Sequence, residues 1–337
     1  MLRWLVLAAL VTAIPALAAE GGQSPKTYLS AQYPVEVQRD LVYGEGLVEA
    51  SGAARLRALR MDYYHPGGSA APAKRPALVL AFGGSWHRGG RNAQAMRDAE
   101  GNRNTPMSGY CRAFAARGYS CFSIDYRLTQ EDPGLAGVAD KKQLMDVALA
   151  LKPEYTAHID RVRAEMGLAP LTEKTRMHFW RSILGATEDM GLAVEHVRTN
   201  ASKYGVDPER LAIGGWSAGA FTANNLGFGA GAPVKAVVSL SGGFWGYDLY
   251  RTLQGGDHPA TLLVVGENDF PGILATAPPI LQAFHRAAVD AELAWMPGRG
   301  HFYSMEDPSL AGDGSKKPLE QRLAEFLYRG LQLQELR

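Results

Sequence analysis

The sequence predicts an α/β protein built on one doubly wound, mostly parallel sheet flanked by helices, and three observations predict it. Short continuous apolar runs bounded by glycine or proline, such as Pro76–Phe82 and Leu262–Val265, have the composition of strands buried on both faces. These runs alternate with helix-period segments over more than two hundred residues, the pattern of repeated strand–helix–strand crossovers. Glycine supplies 38 of 337 residues, well above a typical share of about 7%, so tight turns and close backbone approaches are expected to be frequent.

From the N-terminus, Arg3, the 11-residue apolar run Trp4–Ile14 and the small-x-small triplet Ala16-Leu17-Ala18 read as a signal peptide over residues 1–18. The run is shorter than the ~18 residues of a membrane span, and an uncleaved anchor is the alternative. Export to a secreted or periplasmic location follows, with no stable membrane span after cleavage. The whole chain has 35 basic and 34 acidic residues, and cleavage removes only Arg3 from that balance. Near-zero charge gives no footprint for nucleic acid and no polybasic membrane patch. Residues 19–37 read as a polar, irregular leader.

Strand-like runs follow at Asp40–Tyr43 and Leu56–Tyr64, then the buried strand Pro76–Phe82. A helix at Gly109–Arg117 stops at Gly118, a natural left-handed cap, and a strand at Tyr119–Asp125 follows. Between Thr129 and Arg181 about fifty residues stand where a crossover needs one helix. With helix-like runs at Lys141–Leu151 and Ala157–Met166, this surplus reads as a helical cap insertion or as a solvated decoration. Ile183, Ala186, Met190, Ala193, Val194, Val197 and Ala201 then mark a long helix over Ile183–Lys203. Short strands at Leu211–Ile213, Val234–Leu240, Thr261–Val265 and Leu293–Met296 alternate with helices at Ala218–Phe228 and Pro278–Ala288, and Leu319–Leu333 is the last helix. The whole of residues 19–337 reads as one domain.

The two cysteines, Cys111 and Cys121, lie at similar heights on the predicted helix and strand either side of Gly118, at ~1.5 and ~3.3 Å per residue. In an oxidising compartment they are candidates for one disulfide, with buried free thiols as the alternative. Their spacing fits no zinc site.

The chemistry concentrates at Leu211-Ala212-Ile213-Gly214-Gly215-Trp216-Ser217-Ala218-Gly219, a strand running through Gly-x-Ser-x-Gly into a helix. In such a turn the serine stands clear of the sheet, and the positions two before and two after it pass so close that glycine is needed. A serine hydroxyl requires a base, and a histidine oriented by a carboxylate supplies one. Asp269 follows a buried strand, where an acid should project from the sheet's carboxyl end. His301 sits in the glycine-flanked loop Pro297–Phe302 before the last helix. His258 and His285 are rivals for the base, and Glu267 and Asp290 for the acid. The segment Phe82-Gly83-Gly84-Ser85-Trp86 follows the first buried strand, where backbone N–H groups turn towards a substrate carbonyl, and Ala218 N–H, next after the serine, is the partner donor of an oxyanion hole. Trp86 and Trp216 flank these segments as candidate pocket residues; plain packing is the alternative.

On these residues the chain, from about Asp40 onward, resembles the α/β-hydrolases of the carboxylesterase and hormone-sensitive-lipase-like branch. Tyr63-Tyr64-His65-Pro66, Asp125-Tyr126-Arg127-Leu128, Asp207-Pro208-Glu209-Arg210 and Ser239-Leu240-Ser241-Gly242 also resemble that branch and read as structural. At the oxyanion loop the family usually has His-Gly-Gly-Gly, and this chain has Phe82-Gly83-Gly84-Ser85. Backbone donors survive that change, and the resemblance implies that Gly84 and Ser85 supply them; the bracing role of the usual histidine does not survive. The resemblance implies hydrolysis of a small-molecule ester through an acyl-enzyme on Ser217, with no cofactor or metal. A peptidase similar to the prolyl-oligopeptidase group shares the core, but no propeller-sized N-terminal region is present. A polyester or plant-wall ester hydrolase, and a binding module lacking catalysis, are the other readings.

Overall fold

In the computed structural model, residues 27–137 and 140–335 are described. The signal-peptide segment, residues 1–18, lies outside the described residues. Ten strands among them form one sheet: β1 (Val35–Val48), β2 (Arg55–Pro66), β3 (Arg75–Ala81), β4 (Ser120–Ile124), β5 (Val206–Trp216), β6 (Ala236–Leu240), β7 (Ala260–Gly266), β8 (Ala291–Met296), β9 (Pro308–Ala311) and β10 (Lys316–Pro318). The spatial order is β1-β2-β4-β3-β5-β6-β7-β8-β9-β10. Strands β4, β3, β5, β6, β7 and β8 run parallel, and antiparallel strands close both ends. Ala81, Gly215, Ser239, Leu263 and Leu293 are in register across five of them, so their carboxyl ends finish level. Every loop that leaves those ends opens on the same rim of the sheet, where ligands bind in doubly wound folds.

The helices are α1 (Met107–Ala115), α2 (Val147–Ala150), α3 (Pro153–Glu165), α4 (Glu173–Thr199), α5 (Ala201–Tyr204), α6 (Ala218–Asn224), α7 (Leu249–Thr252), α8 (Pro271–Arg286) and α9 (Leu319–Gly330). Strand side chains alternate between faces. On one face Leu78, Leu80 and Val238 meet Met107, Tyr110 and Phe114 of α1 and Leu323 and Leu327 of α9. On the other, the wide turn Asn225–Gly229 that follows α6 brings Gly227 against Val237 and Ile213. The central strands are therefore buried on both sides, which is why they read as continuous apolar runs. Helix α4 is capped by Thr172, which accepts from Thr175 N–H, and it buries Phe179, Ile183, Ala186, Met190, Ala193 and Val197 at three-and-four spacing. Among the described residues no helix is long and apolar enough to cross a membrane.

Most predicted elements fall where the sequence puts them, with the following differences. Strand β1 begins inside the expected leader at Val35 and pairs along its length with β2. Helix α4 starts at Glu173, so the last residues of the expected insertion are its first turns. The 141–151 run is a 3₁₀ turn, Lys141–Gln143, and the four-residue α2 rather than one helix. Strands β9 and β10 had no counterpart in the sequence reading. Cys111 on α1 and Cys121 on β4 form a disulfide with a Cα–Cα distance of 5.1 Å.

Candidate active site

Strand β5 ends at Trp216 and α6 begins at Ala218, so Ser217 alone makes the turn. Its φ of 53° and ψ of −123° are sparsely populated for a residue with a Cβ, at a cost of roughly 1–3 kcal/mol. The turn is pinned on both sides. Ser217 N–H donates to Leu240 O at 2.8 Å, and its carbonyl accepts from Ala220 and Phe221 at 2.8 and 3.0 Å. A Cβ on Gly219 would overlap the carbonyl of Ala81, and one on Gly215 would overlap the same carbonyl and the backbone of Gly219. These two glycines let the elbow lie directly against the end of β3.

The structure brings Ser217, His301 and Asp269 together from loops 84 and 32 residues apart. Ser217 Oγ donates to His301 Nε2 at 2.9 Å, and His301 Nδ1 donates to Asp269 Oδ1 at 2.7 Å. The imidazole is gripped rather than loosely placed. It stacks on Phe270 at 4.1 Å, and its backbone carbonyl accepts from the Trp216 indole at 3.1 Å. Asp269 accepts three further bonds, from Phe270 N–H at 2.7 Å, Ser241 Oγ at 2.5 Å and Gly266 N–H at 3.2 Å. Burial pushes its pKa up, but the bonds from His301, Ser241 and Phe270 outweigh burial and hold the carboxyl below its ordinary value. It is an anion wherever His301 needs one.

The rivals sit elsewhere. His285 on α8 faces the carbonyl of Ala291, and His258 lies against Phe228. Glu267 accepts from Gly298 N–H on the exposed side of its loop, and Asp290 is exposed after α8.

The loop after β3 carries three consecutive residues with positive φ: Gly84 at 120°, Ser85 at 57° and Trp86 at 54°. Gly84 O accepts from His87 and Arg88 N–H at 3.0 and 3.1 Å. The N–H groups of Gly84, Ser85 and Ala218 find no hydrogen-bond partner among the described residues. Phe82, at the position of the usual histidine, stacks on Tyr126 at 4.2 Å, and the Tyr126 hydroxyl donates to Phe82 O at 2.8 Å. Thr129 donates to Trp86 O through N–H at 2.8 Å and Oγ1 at 3.0 Å, and Gln130 Nε2 to His87 O at 2.8 Å. The 126–130 segment thus holds the carbonyls of Phe82, Trp86 and His87.

Trp86 and Trp216 are 2% and 3% exposed, their indole N–H groups bonded to Thr222 Oγ1 and His301 O. Both pack the walls of the site and present almost no surface to a substrate, which favours the packing reading over the pocket one. Four residues near the site escaped the sequence reading. Ser241, read as structural, is the third support of Asp269, and Tyr303 OH is 2.9 Å from its hydroxyl. Phe270 lies between His301 and His158 of α3, with ring centroids 4.4 Å apart on the His158 side. His158 Nε2 is 3.3 Å from Ser85 Oγ, and burial, assisted by His301, pushes its pKa down to about 4. No cluster of three or more His, Cys, Asp or Glu among the described residues is arranged to hold a metal ion.

No protein-family model matches the sequence, and no curated protein is significantly similar to it. Solved structures do align. A Thermogutta terrifontis esterase 2 phosphorylated by paraoxon is 17% identical, with a TM-score of 0.53 over 92% of this chain and 97% of that one. A truncated carbohydrate esterase from gut microbiota is 15% identical, with a TM-score of 0.52 over 91% of this chain and 100% of that one. A bacterial heroin esterase is 16% identical, with a TM-score of 0.50 over 88% and 84%. At such identities the likeness speaks for the fold. With a parallel sheet of this order and a strand–serine–helix elbow at its centre, the chain has the α/β-hydrolase fold.

Proposed function

We propose that this chain is an exported serine esterase, similar to the carboxylesterase and hormone-sensitive-lipase-like branch, that hydrolyses small carboxylic esters through an acyl-enzyme on Ser217. The observation that carries it is the continuous relay Ser217 Oγ, His301, Asp269 at the level carboxyl ends of β5, β8 and β7. Ser217 Oγ attacks the ester carbonyl carbon while His301 Nε2 takes its proton. The oxyanion is met by the N–H of Ala218 and those of Gly84 and Ser85, held in place before substrate arrives. Collapse breaks the bond to the alcohol, which leaves with the proton from His301. Water, deprotonated by the same nitrogen, then attacks the acyl carbon, the acid departs and Ser217 regains its proton. Asp269 stabilises the imidazolium formed in both halves. The insertion at 129–181 serves as a cap, supported by the arrival of His158 beside Ser85 and Phe270. Export is supported by the Cys111–Cys121 disulfide.

The test is hydrolysis of p-nitrophenyl acetate, butyrate and octanoate by the wild type and Ser217→Ala. The wild type turns over at least one ester, paraoxon phosphorylates Ser217 stoichiometrically, and the variant loses at least about 10³-fold in kcat. A folded wild type inert towards all three esters, or an active Ser217→Ala, overturns the reading.

A further inference from the structure

We propose that His87 and Arg163 are positioning residues: a buried imidazole–guanidinium pair by which helix α3 of the insertion holds the oxyanion loop in its catalytic shape. The inference rests on the esterase reading of the site. The loop needs holding, because Ser85 and Trp86 both carry a Cβ in the left-handed region that such residues disfavour. Two carbonyls decide where its N–H groups point. A trans peptide aims its N–H opposite to its carbonyl, so tying Gly84 O to the N–H groups of His87 and Arg88 turns Ser85 N–H the other way. The next carbonyl, Ser85 O, has no backbone partner among the described residues and is held by a side chain: His87 Nδ1 donates to it at 2.7 Å.

The far side of that imidazole meets the insertion. Arg163 Nη1 lies 3.3 Å from His87 Nε2, and Arg163 Nε donates to Ala169 O at 2.7 Å. A guanidinium can only donate and a carbonyl can only accept, so the two neighbours together select one neutral tautomer, with the proton on Nδ1. Burial pushes the His87 pKa down to about 4, consistent with a ring that stays neutral. Both side chains are buried, at 1% and 7% exposure, so the pair works out of water. Helix α3 touches the same loop twice more, through His158 Nε2 to Ser85 Oγ at 3.3 Å and Glu165 to Arg88 at 2.8 Å. The residue that stands in for a lost bracing histidine is thus reached from fifty-odd residues of insertion, which ties the insertion to the chemistry and not only to access.

Three variants and one ester test this. His87→Leu keeps most of the volume and loses both hydrogen bonds. His87→Asn is smaller but places an amide N–H where Nδ1 was. Bracing through the hydrogen bond predicts that His87→Leu lowers kcat for p-nitrophenyl butyrate by about 10- to 100-fold with KM within about threefold. That loss falls short of the 10²–10³ expected when an oxyanion donor is removed outright. His87→Asn recovers most of it. Packing alone predicts the reverse order, Leu above Asn. Arg163→Met lowers kcat by about 3- to 10-fold, and decides the matter if His87→Leu does not fold. A folded His87→Leu with wild-type kcat, or His87→Asn as slow as His87→Leu, overturns the inference. Were Ser217→Ala inactive and the folded His87 and Arg163 variants unimpaired, only this inference would fall. A wild type without esterase activity would remove the reading beneath it.

Discussion

Asp269 shows how a residue's role is set by groups that are remote in sequence. Its side chain accepts from His301, Ser241 and the N–H groups of Phe270 and Gly266, so both carboxylate oxygens are used. Replacing it by Asn puts an amide against His301 Nδ1 and stabilises the wrong tautomer, with an expected loss of about 10³–10⁴ in kcat. Ser241→Ala removes one donor and leaves the His301 bond in place. It is expected to lower kcat by about 10- to 150-fold, the scale of one hydrogen bond to a charged group. Steady-state kinetics on p-nitrophenyl butyrate checks both, and a Ser241→Ala enzyme with wild-type kcat would show that Ser241 merely packs. The three residues of the proposed relay were legible because a strand–Gly-x-Ser-x-Gly–helix pattern, an acid after a strand and a histidine in a glycine-flanked loop each leave a local signature. Ser241 and Tyr303 leave none. Their hydroxyls matter only because β6 lies between β5 and β7 and because residue 303 turns back beneath the same loop. His87, Arg163 and His158 were illegible for the same reason: nothing local says that α3 crosses the β3 loop.

At the scale of elements, the sequence was clearest where burial is two-sided. Strands β3, β5, β6 and β7 are visible as continuous apolar runs because both their faces are buried. Strands β9 and β10 are only four and three residues long and lie at one end of the sheet, so no periodicity develops in them. Helix α4 runs ten residues further back than its strongest apolar stripe because Thr172 caps it there and Phe179 extends the stripe. The disulfide between α1 and β4 spans 10 residues and closes a loop that the sheet already constrains. For a loop of that length the chain-entropy account gives about 2–3 kcal/mol. The double variant Cys111→Ala/Cys121→Ala should therefore unfold at lower urea by that amount, and dithiothreitol should shift the wild type but not the variant. A wild type indifferent to the reductant would mean that the bond adds nothing that α1 packing does not already supply.

Across the whole molecule, the insertion and the sheet rim meet at two imidazoles, His87 buried and His158 half-buried, and this gives the protein a pH dependence of definite sign. Burial pushes the pKa of His87 and of His158 down from 6.5 to about 4. In the unfolded chain both take up a proton near pH 6.5, while the folded protein accepts neither until about pH 4. Above pH 7 both states are neutral there and the two groups contribute no slope. Between pH 6.5 and about 4 the unfolded state binds more protons, so stability falls as the solution is acidified, by up to about 1.4 kcal/mol per pH unit for each histidine. The neighbours of His87 and His158 do not reverse this: Arg163 faces the first, and His301, Arg161, Arg88 and Glu165 surround the second. Asp132 and Asp269, both held below the ordinary carboxylate range, lose their contributions only further down. Urea unfolding at pH 7, 6 and 5 should show a steepening loss of stability in the wild type. In His158→Gln, which cannot titrate, the slope between pH 6 and 5 should be shallower by about 1 kcal/mol per unit. If the two slopes coincide, His158 is not the neutral, half-buried group that joins α3 to the oxyanion loop.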